Sequence, residues 1–414
     1  MKVAGIVAEF NPFHTGHAYI IEEARRMTGC DYVIVVMSGN FVQRGEPAIA
    51  DKFTRTRMSL QCGADVVIEL PAISASAAAA DFARTAVSVL LHTGVVTHLV
   101  FGSESGQIQP LSQIADILYE EPESFKMMLR SHQRDGLSFP AARAQALKNT
   151  FSTISFLDTP NDILAVEYLI ALKRFKSDSI TPVTISRIGA GYHELSMQTD
   201  FVSASAMRKW ILEHGHAHMH RLPDKGIPDA CQDIYRQWIL NGTCIGPDDL
   251  TQMLGTALLQ HIDYTDFLGI SNDLSNRIGK YSHTLRTFES FVDTIKTKNM
   301  TRTTISRALL HMVLGHKKTD MDMLKSLDDA PYIRLLGFNA QSSALLKQIQ
   351  AHSDIPVITK PSAARRQLNQ SQLQIFNQDV YAARIYRLLQ LSKMGENAIT
   401  AVLADEMQQT PVIC

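Results

Sequence analysis

Two histidines near the start of the chain have the type and spacing to act together on a phosphate. His14 and His17 flank Thr15-Gly16 in a His-Thr-Gly-His sequence, so on a helical turn their rings share one side. Gly16 removes a side chain between them and lets a phosphate approach the backbone. A single histidine at a helix start is usually a cap or surface residue. Paired imidazole donors there suit a polyphosphate whose charge grows during reaction.

A strand and a helix must hold these histidines in place. The apolar run Val3–Ala8 predicts a buried strand, and Asn11 and Pro12 end it. Apolar residues at helical spacing follow as far as Met27. The histidines therefore lie at the carboxyl end of a first strand, where open α/β sheets bind their ligands.

Four further apolar runs predict strands that alternate with helices. They are 31–37, 64–70, 95–101 and 182–188. Alternation of this kind predicts an α/β fold with a right-handed, doubly wound parallel sheet of Rossmann-like type. The polar loop 41–50 follows the second strand and should lie at the same edge of the sheet as the histidines. The basic helix after that loop carries Lys52, a weaker candidate for a phosphate or RNA contact, and Arg55, which we expect on a solvated face.

The second half of the chain has a different character. Its patterns are mainly helical, and short strand signals occur only at 332–338 and 355–358. We therefore divide the chain into an α/β domain that carries the histidines, 1–215, and a mainly helical domain, 216–414.

Positive charge is concentrated in one segment of the second half. The whole chain has a net charge of −1, yet residues 277–318 contain nine Lys or Arg against two acidic residues. This excess predicts an RNA-backbone surface, and the alternative is an ordinary solvated helix face. The candidate RNA contacts are Arg277, Lys280, Lys296, Lys298, Arg302 and Arg307.

Composition excludes several other classes of protein. The five cysteines are scattered, without Cys-x-x-Cys or Cys/His spacing, so we expect neither a zinc site nor a disulfide framework. No apolar run reaches the length of a membrane span. The N-terminus reads as a strand and not as a signal peptide, so we expect a cytoplasmic protein that does not enter a membrane.

Several longer strings resemble one family. GIVAEFNPFHTGH, MSGNFVQRGEPAIADKFTR, GADVVIELP, FGSE, PNDILAVEYL, SRIGAGYH, SASAMR and YIRLLGFN are similar to the bacterial tRNA(Met) cytidine acetate ligase family. This family belongs to the nucleotidyltransferase superfamily, which carries a His-x-Gly-His motif. The resemblance extends over nearly the whole chain.

The resemblance implies an ATP-dependent ligase. Acetate attacks the α-phosphate of ATP, with Mg²⁺ on the phosphates, and the acetyl group of the acetyl-adenylate passes to N4 of the wobble cytidine in elongator tRNA(Met). His14 and His17 then stabilise the α-phosphate and the leaving pyrophosphate. Ser203, Ser205 and Arg208 hold the β- and γ-phosphates, and Ser205 stands where the superfamily more often has threonine. No protein ligand for a metal is expected.

The resemblance also implies nucleoside contacts at Gly102, Asn161 and Arg187. The complete set of expected ATP contacts is Val7, Ala8, Glu9, Phe10, Asn11, Pro12, His14, Gly16, His17, Gly102, Asn161, Arg187 and Ser203. Glu46 and Glu104 are the candidates for a base that activates the cytidine amine. Two alternatives stay open: an adenylyltransferase that modifies a small phosphorylated metabolite without RNA, and a tRNA-binding protein whose nucleotide site has lost its chemistry.

Overall fold

The computed structural model describes residues 1–137, 139–150, 159–177, 179–187, 202–214, 226–395 and 406–414. Its strands are β1 (Val3–Ala8), β2 (Tyr32–Ser38), β3 (Phe41–Val42), β4 (Glu46–Pro47), β5 (Val66–Leu70), β6 (His98–Ser103), β7 (Thr181–Ser186), β8 (Ile333–Phe338), β9 (Val357–Ile358) and β10 (Val412–Ile413). Helices of the first half are α1 (Thr15–Thr28), α2 (Lys52–Gln61), α3 (Ala72–Ala75), α4 (Ala79–His92), α5 (Ile108–Glu120), α6 (Glu123–Arg134), α7 (Phe139–Thr150), α8 (Pro160–Arg174) and α9 (Ala204–His214). Those of the second half are α10 (Gln232–Leu240), α11 (Thr251–Gln260), α12 (Asn272–Tyr281), α13 (Phe288–Ile295), α14 (Arg302–Leu314), α15 (Lys318–Ser326), α16 (Ser343–His352), α17 (Ala364–Gln367) and α18 (Gln370–Lys393).

Five strands of the first half form the predicted parallel sheet. Their spatial order is β5-β2-β1-β6-β7, and each neighbouring pair is parallel. From β1, the strands β2 and β5 extend in one direction, and the later strands β6 and β7 extend in the opposite direction. The order therefore reverses between β1 and β6, where doubly wound sheets bind ligands at the carboxyl ends of the strands. The predicted fold class is confirmed.

The second half of the chain also contributes to this sheet. β8 lies antiparallel to β5, with Ile68 opposite Leu335, and β9 and β10 each pair with β8. Both strand signals of the second half are thus confirmed, but they extend the sheet of the first half. An antiparallel strand at the margin of a parallel sheet is a common form of mixed sheet. The division at residue 215 stays a prediction, and that residue lies outside the described ranges.

Apolar side chains pack on both faces of the sheet. On one face the core contains α4, α5 and α8, and on the other it contains α1, α2, α9 and α10. A third apolar core joins α11 to α14 and the C-terminal part of α18. The hydroxyl of Tyr386 on α18 donates to Ala48 O at 2.7 Å, so this helical part is fastened to the loop after β2. The edge of the sheet that carries the histidines is thereby faced by a helical body.

The basic start of α2 is buried, and our expectation for it was wrong. Lys52 Nζ lies 2.8 Å from Glu69 Oε1 and 2.7 Å from Glu406 Oε1, and Arg334 bonds to the same two carboxylates. Arg55 is also buried, and its guanidinium donates to the carbonyls of Ala50, Ser38, Gly39 and Glu9. Neither residue is available to bind a phosphate or to face solvent. Lys52 neutralises buried carboxylates, and Arg55 donates hydrogen bonds to buried backbone carbonyls.

Candidate active site

The two histidines cap the helix that they begin. Nδ1 of His14 accepts the backbone N–H of Gly16 at 3.0 Å, and Nδ1 of His17 accepts the backbone N–H of His14 at 3.2 Å. The rings stack with their centroids 3.7 Å apart. A Cβ on Gly16 would lie 2.9 Å from Cε1 of His14, so a side chain there would displace that ring. Because each Nδ1 is an acceptor, each neutral ring carries its proton on Nε2.

Both rings are uncharged at neutral pH. Burial, with a smaller contribution from Arg187 and Arg208, lowers the pKa of His14 to about 3. Burial likewise lowers the pKa of His17 well below its ordinary value, and His14 and Arg187 lower it further. The turn therefore presents two neutral Nε2–H donors together with the N-terminus of α1. This arrangement can stabilise negative charge that develops on a phosphate without a proton transfer.

The start of α9 lies beside the residues that precede this turn. Ser203 Oγ accepts the backbone N–H of Ala206 at 3.2 Å and so caps the helix. Arg208 donates to Asn11 O at 2.6 Å and to Ser205 Oγ at 3.3 Å, and its Nε lies 3.5 Å from Glu46. The geometry thus holds a guanidinium and two hydroxyls beside the residues that follow β1.

Asn161 and Arg187 lie at the ends of neighbouring elements. Glu104, just after β6, accepts hydrogen bonds from the side chain of Asn161 at 2.6 Å and from the backbone of Asp162 at 2.9 Å. Both carboxylate oxygens of Glu104 thus bind the start of α8, and its role as a base stays a prediction. Arg187 follows β7, and its Cγ would touch a Cβ on Gly102 at 3.4 Å. Gly102 thus tolerates no side chain much larger than a methyl group without filling the space beside Arg187.

One cavity of about 550 Å³ collects these residues. Every predicted ATP contact except Pro12 lines it, as do Ser205 and Arg208. Several apolar and aromatic lining residues, among them Tyr19, Phe82, Phe101 and Tyr168, were not predicted. In the sequence these residues belong to the apolar patterns of strands and helices, and such a pattern does not show which apolar side chains line a cavity.

A second wall of the same cavity comes from two distant segments. Gln43 and Arg44 lie between β3 and β4, whereas Thr301, Thr303 and Arg307 lie at and just before the first turns of α14. We call these five residues the helical wall. The sequence predicted the loop 41–50 at this edge of the sheet and Arg307 on an RNA surface, but no sequence pattern indicated that the two segments meet.

The six predicted RNA contacts differ in their surroundings, and their role stays a prediction. Arg307 lines the cavity, and the other five lie outside its lining. Arg277 donates to the carbonyl of Ile295 at the end of α13, and Arg302 pairs with Glu289 and Asp293. The described side chains of Lys280, Lys296 and Lys298 are exposed. The predicted set therefore contains one cavity residue, two cations engaged within the protein, and three exposed lysines.

Glu9 is a half-buried carboxylate that lines the cavity. Its Oε1 accepts the backbone N–H of Gln43 at 2.7 Å, and burial raises its pKa above the usual glutamate range.

Within the described ranges, no group of three or more His, Cys, Asp or Glu side chains is arranged to hold a metal ion. In the same residues no helix is long and apolar enough to cross a membrane.

Comparison with known proteins agrees with this geometry. The family described as HIGH Nucleotidyl Transferase matches residues 1–399. The tRNA(Met) cytidine acetate ligase of Acetivibrio thermocellus is 40% identical over 370 residues, which cover 87% of this chain and 89% of the relative. The enzyme of the same name from a Thermoanaerobacter species is 39% identical over 94% of this chain and 95% of its own.

Two solved structures have the same fold over the whole chain. Ligand-free Thermotoga maritima TmcAL superposes with a TM-score of 0.91 at 32% identity and covers 100% of this chain and 99% of its own. The same protein bound to alpha-thio ATP superposes with a TM-score of 0.89 at 33% identity, with the same coverage.

Proposed function

The chain belongs to the tRNA(Met) cytidine acetate ligase family within the HIGH nucleotidyl transferases, and on that premise we propose that it joins acetate to tRNA(Met) at the expense of ATP. The product is N4-acetylcytidine at the wobble position of elongator tRNA(Met). The observation that carries the proposal is the pair of neutral, stacked imidazoles at the start of α1. They line a cavity at the point where the strand order reverses.

The first step activates acetate. A carboxylate oxygen of acetate attacks the α-phosphorus of ATP, and the bond to pyrophosphate breaks. Nε2–H of His14 and Nε2–H of His17 donate to the phosphate oxygens that gain charge in this step. Ser203, Ser205 and Arg208 bind the β- and γ-phosphates, so the leaving group stays aligned.

The nucleoside occupies the part of the cavity beside β6 and β7. Gly102 leaves room for it, and Arg187 offers a planar cation that can stack on adenine or bind a phosphate. Asn161 offers its side-chain oxygen and its second amide N–H, since one N–H is already bonded to Glu104. Residues 7–11 line the cavity at the same edge of the sheet.

Mg²⁺ belongs to the proposal only as a companion of the triphosphate. The described carboxylates nearest the phosphate region are engaged: Glu9 bonds to the backbone of Gln43, and Glu46 lies beside Arg208. They do not form a ligand set for the ion. When bound, Mg²⁺ would neutralise phosphate charge.

In the second step the cytidine amine attacks the acyl carbon. A C–N bond forms, the C–O bond to the phosphate of AMP breaks, and one proton leaves the amine. The exposed lysines Lys280, Lys296 and Lys298, and the engaged arginines Arg277 and Arg302, contribute positive charge toward the RNA backbone. Since the substrate is tRNA, the proposal implies a cytoplasmic enzyme.

Incubation with ATP, [¹⁴C]acetate and total bacterial tRNA tests the reaction. We expect label in N4-acetylcytidine that depends on ATP and on added tRNA. Pyrophosphate release with a small phosphorylated metabolite, without label in RNA, would instead support the adenylyltransferase alternative. Absence of any ATP–pyrophosphate exchange with acetate would support the alternative in which the nucleotide site has lost its chemistry.

A further inference from the structure

The helical wall contains a hydrogen-bond donor that has no partner. Nε2 of Gln43 is buried at the cavity, and it has no hydrogen-bond partner within the described part of the chain. The backbone N–H of the same residue is fixed by Glu9 at 2.7 Å. A buried donor without an acceptor is costly, and such groups commonly mark a place that a ligand completes.

Two arginines of the helical wall lie close to Gln43. Arg44 is the next residue, and Arg307 reaches across from α14, with Nη1 3.5 Å from the carbonyl oxygen of Gln43. Burial lowers the pKa of Arg307, but an arginine remains charged at neutral pH. The unsatisfied amide of Gln43, with Arg44 and Arg307 nearby, suits a ligand that has hydrogen-bond acceptors and is flanked by phosphates.

The wall is held in a fixed position. Ser306 Oγ donates to Gly45 O at 2.9 Å. Gly45 has a φ of +78°, and a Cβ there would lie 2.2 Å from the backbone nitrogen of Arg307. The two segments therefore meet backbone to backbone, and Gln43, Arg44 and Arg307 keep one spacing.

We infer that Gln43, Arg44 and Arg307 form the binding site for the acceptor cytidine, with the Gln43 amide reading the base and the two arginines binding its flanking phosphates. This inference rests on the proposed function. The Watson–Crick edge of cytosine has acceptors at N3 and O2, whereas uracil has a donor at N3. A donor from Gln43 therefore favours cytosine and disfavours uracil. Sequence-specific recognition of RNA generally uses such edges on unstacked single-stranded bases.

The other cavity residues with an assigned role bind ATP, so the helical wall remains for the acceptor cytidine. The histidines, Ser203, Ser205 and Arg208 serve the phosphates of ATP, and Gly102, Asn161 and Arg187 serve its nucleoside. The helical wall and the residues that serve ATP line the same cavity, so a cytidine bound there lies in the space in which its amine meets the acyl carbon of the adenylate. Thr301 and Thr303 add hydroxyl groups beside the same RNA segment.

Separate assays of the two half-reactions test the assignment. ATP–pyrophosphate exchange with acetate needs no RNA, whereas acetyl transfer is followed with an anticodon stem–loop RNA that carries cytidine at the wobble position. Gln43→Leu should reduce transfer at least about tenfold, as expected for loss of a base-edge contact. Exchange should stay within about twofold, which also shows that the variant is folded and binds ATP.

Base discrimination supplies a second measurement. A stem–loop with uridine at the wobble position cannot accept the acetyl group and is used as an inhibitor of transfer. Gln43→Glu places an acceptor against N3, so this inhibitor should gain potency relative to wild type. Arg307→Met should raise the KM for the cytidine stem–loop about tenfold and leave the order of base preference unchanged. The matched controls are Gln113→Leu and Arg26→Met on exposed helix surfaces, which should change neither half-reaction.

Three results would overturn the inference. Transfer at the wild-type rate in Gln43→Leu would show that the amide does not read the base. An equal loss of exchange and transfer would place the wall on the adenylate side. An unchanged inhibition by the uridine stem–loop in Gln43→Glu would exclude an edge contact. If the wild-type protein performs exchange but acetylates no RNA, the proposed function fails, and that result is distinct from all three.

Discussion

The cavity has two walls that differ in how the chain builds them. One wall, which we call the local wall, consists of the residues that follow β1, β6 and β7 together with the start of α9. Its two histidines lie within a single tetrapeptide. The helical wall joins residues 43–44 to residues 301–307, and the contact depends on one glycine. The first wall is thus a product of local sequence and sheet topology. The second is a product of packing between two halves of the chain.

This difference suggests a separation of tasks. The local wall has uncharged imidazole donors that suit a phosphate, and it is built mainly from α1, α9 and the sheet. The helical wall has cations and an unsatisfied amide, which suit recognition of a nucleic acid. Substitutions in one wall should therefore affect one half-reaction more than the other.

The largest effect should come from the local wall. His17→Ala removes one donor to the developing charge, and we expect acetate-dependent ATP–pyrophosphate exchange to fall by about 10²–10³, or roughly 3–4 kcal/mol. Retention of tRNA binding in a gel shift would confirm that the helical wall is intact. His352→Ala, on an exposed helix end, is the control. Unchanged exchange in His17→Ala would remove this residue from the mechanism.

The contact between the walls is tested at Gly45. Gly45→Ala forces a side chain into the left-handed region, at a cost of about 1–2 kcal/mol, and pushes against the backbone of α14. We expect transfer to fall more than exchange, because Arg307 moves while the histidines stay. Gly29→Ala is a close control, since Gly29 has a φ of +60° but a Cβ there meets nothing within 4 Å. If both variants behave alike, the contact has no role of its own.

The charge state of the local wall sets a pH dependence. The pKa of His14 is about 3 in the folded protein and near 6.5 when unfolded, so the unfolded chain binds the extra proton first. The free energy of unfolding should therefore fall as pH decreases below 6.5, by up to about 1.4 kcal/mol per pH unit for this group. His14→Asn should make the slope between pH 6.5 and 5 shallower in denaturant titrations. An equal slope in both proteins would mean that His14 is already charged when folded.

The smallest effects should come from the exposed lysines. Lys296→Ala and Lys298→Ala each remove a solvated cation, and each should weaken tRNA binding without a change in exchange. The slope of log affinity against log salt should become shallower by about 0.7–0.9 for each phosphate that the variant no longer neutralises. Lys347→Ala, an exposed lysine on α16, is the control. A salt slope equal to wild type in both variants would exclude these residues from the RNA surface.

The same comparison explains what the sequence could predict. Short apolar runs and the residues that end them predict the strands and the position of the histidine turn. The alternation of these strands with helices predicts that they run parallel. Lys52 and Arg55 could not be assigned, because a basic helical turn has the same pattern whether it is solvated or buried. The partners of Lys52 decide between the two, and they are Glu69 and Glu406, which lie 17 and 354 residues away. Arg334, which binds the same two carboxylates, lies 282 residues from Lys52. The direction of β8 and the approach of α14 to Gly45 are likewise long-range contacts without a local signal.

The antiparallel pairing of β8 with β5 has a practical consequence for expression of shorter fragments. A fragment that stops at residue 215 retains the histidine turn but lacks Ile333–Phe338. The backbone amides and carbonyls of Val66–Leu70 would then form an open margin on an apolar strand. Such a margin recruits strands from other molecules and promotes aggregation. Attempts to isolate the catalytic half should therefore keep, or graft, the segment that covers this strand.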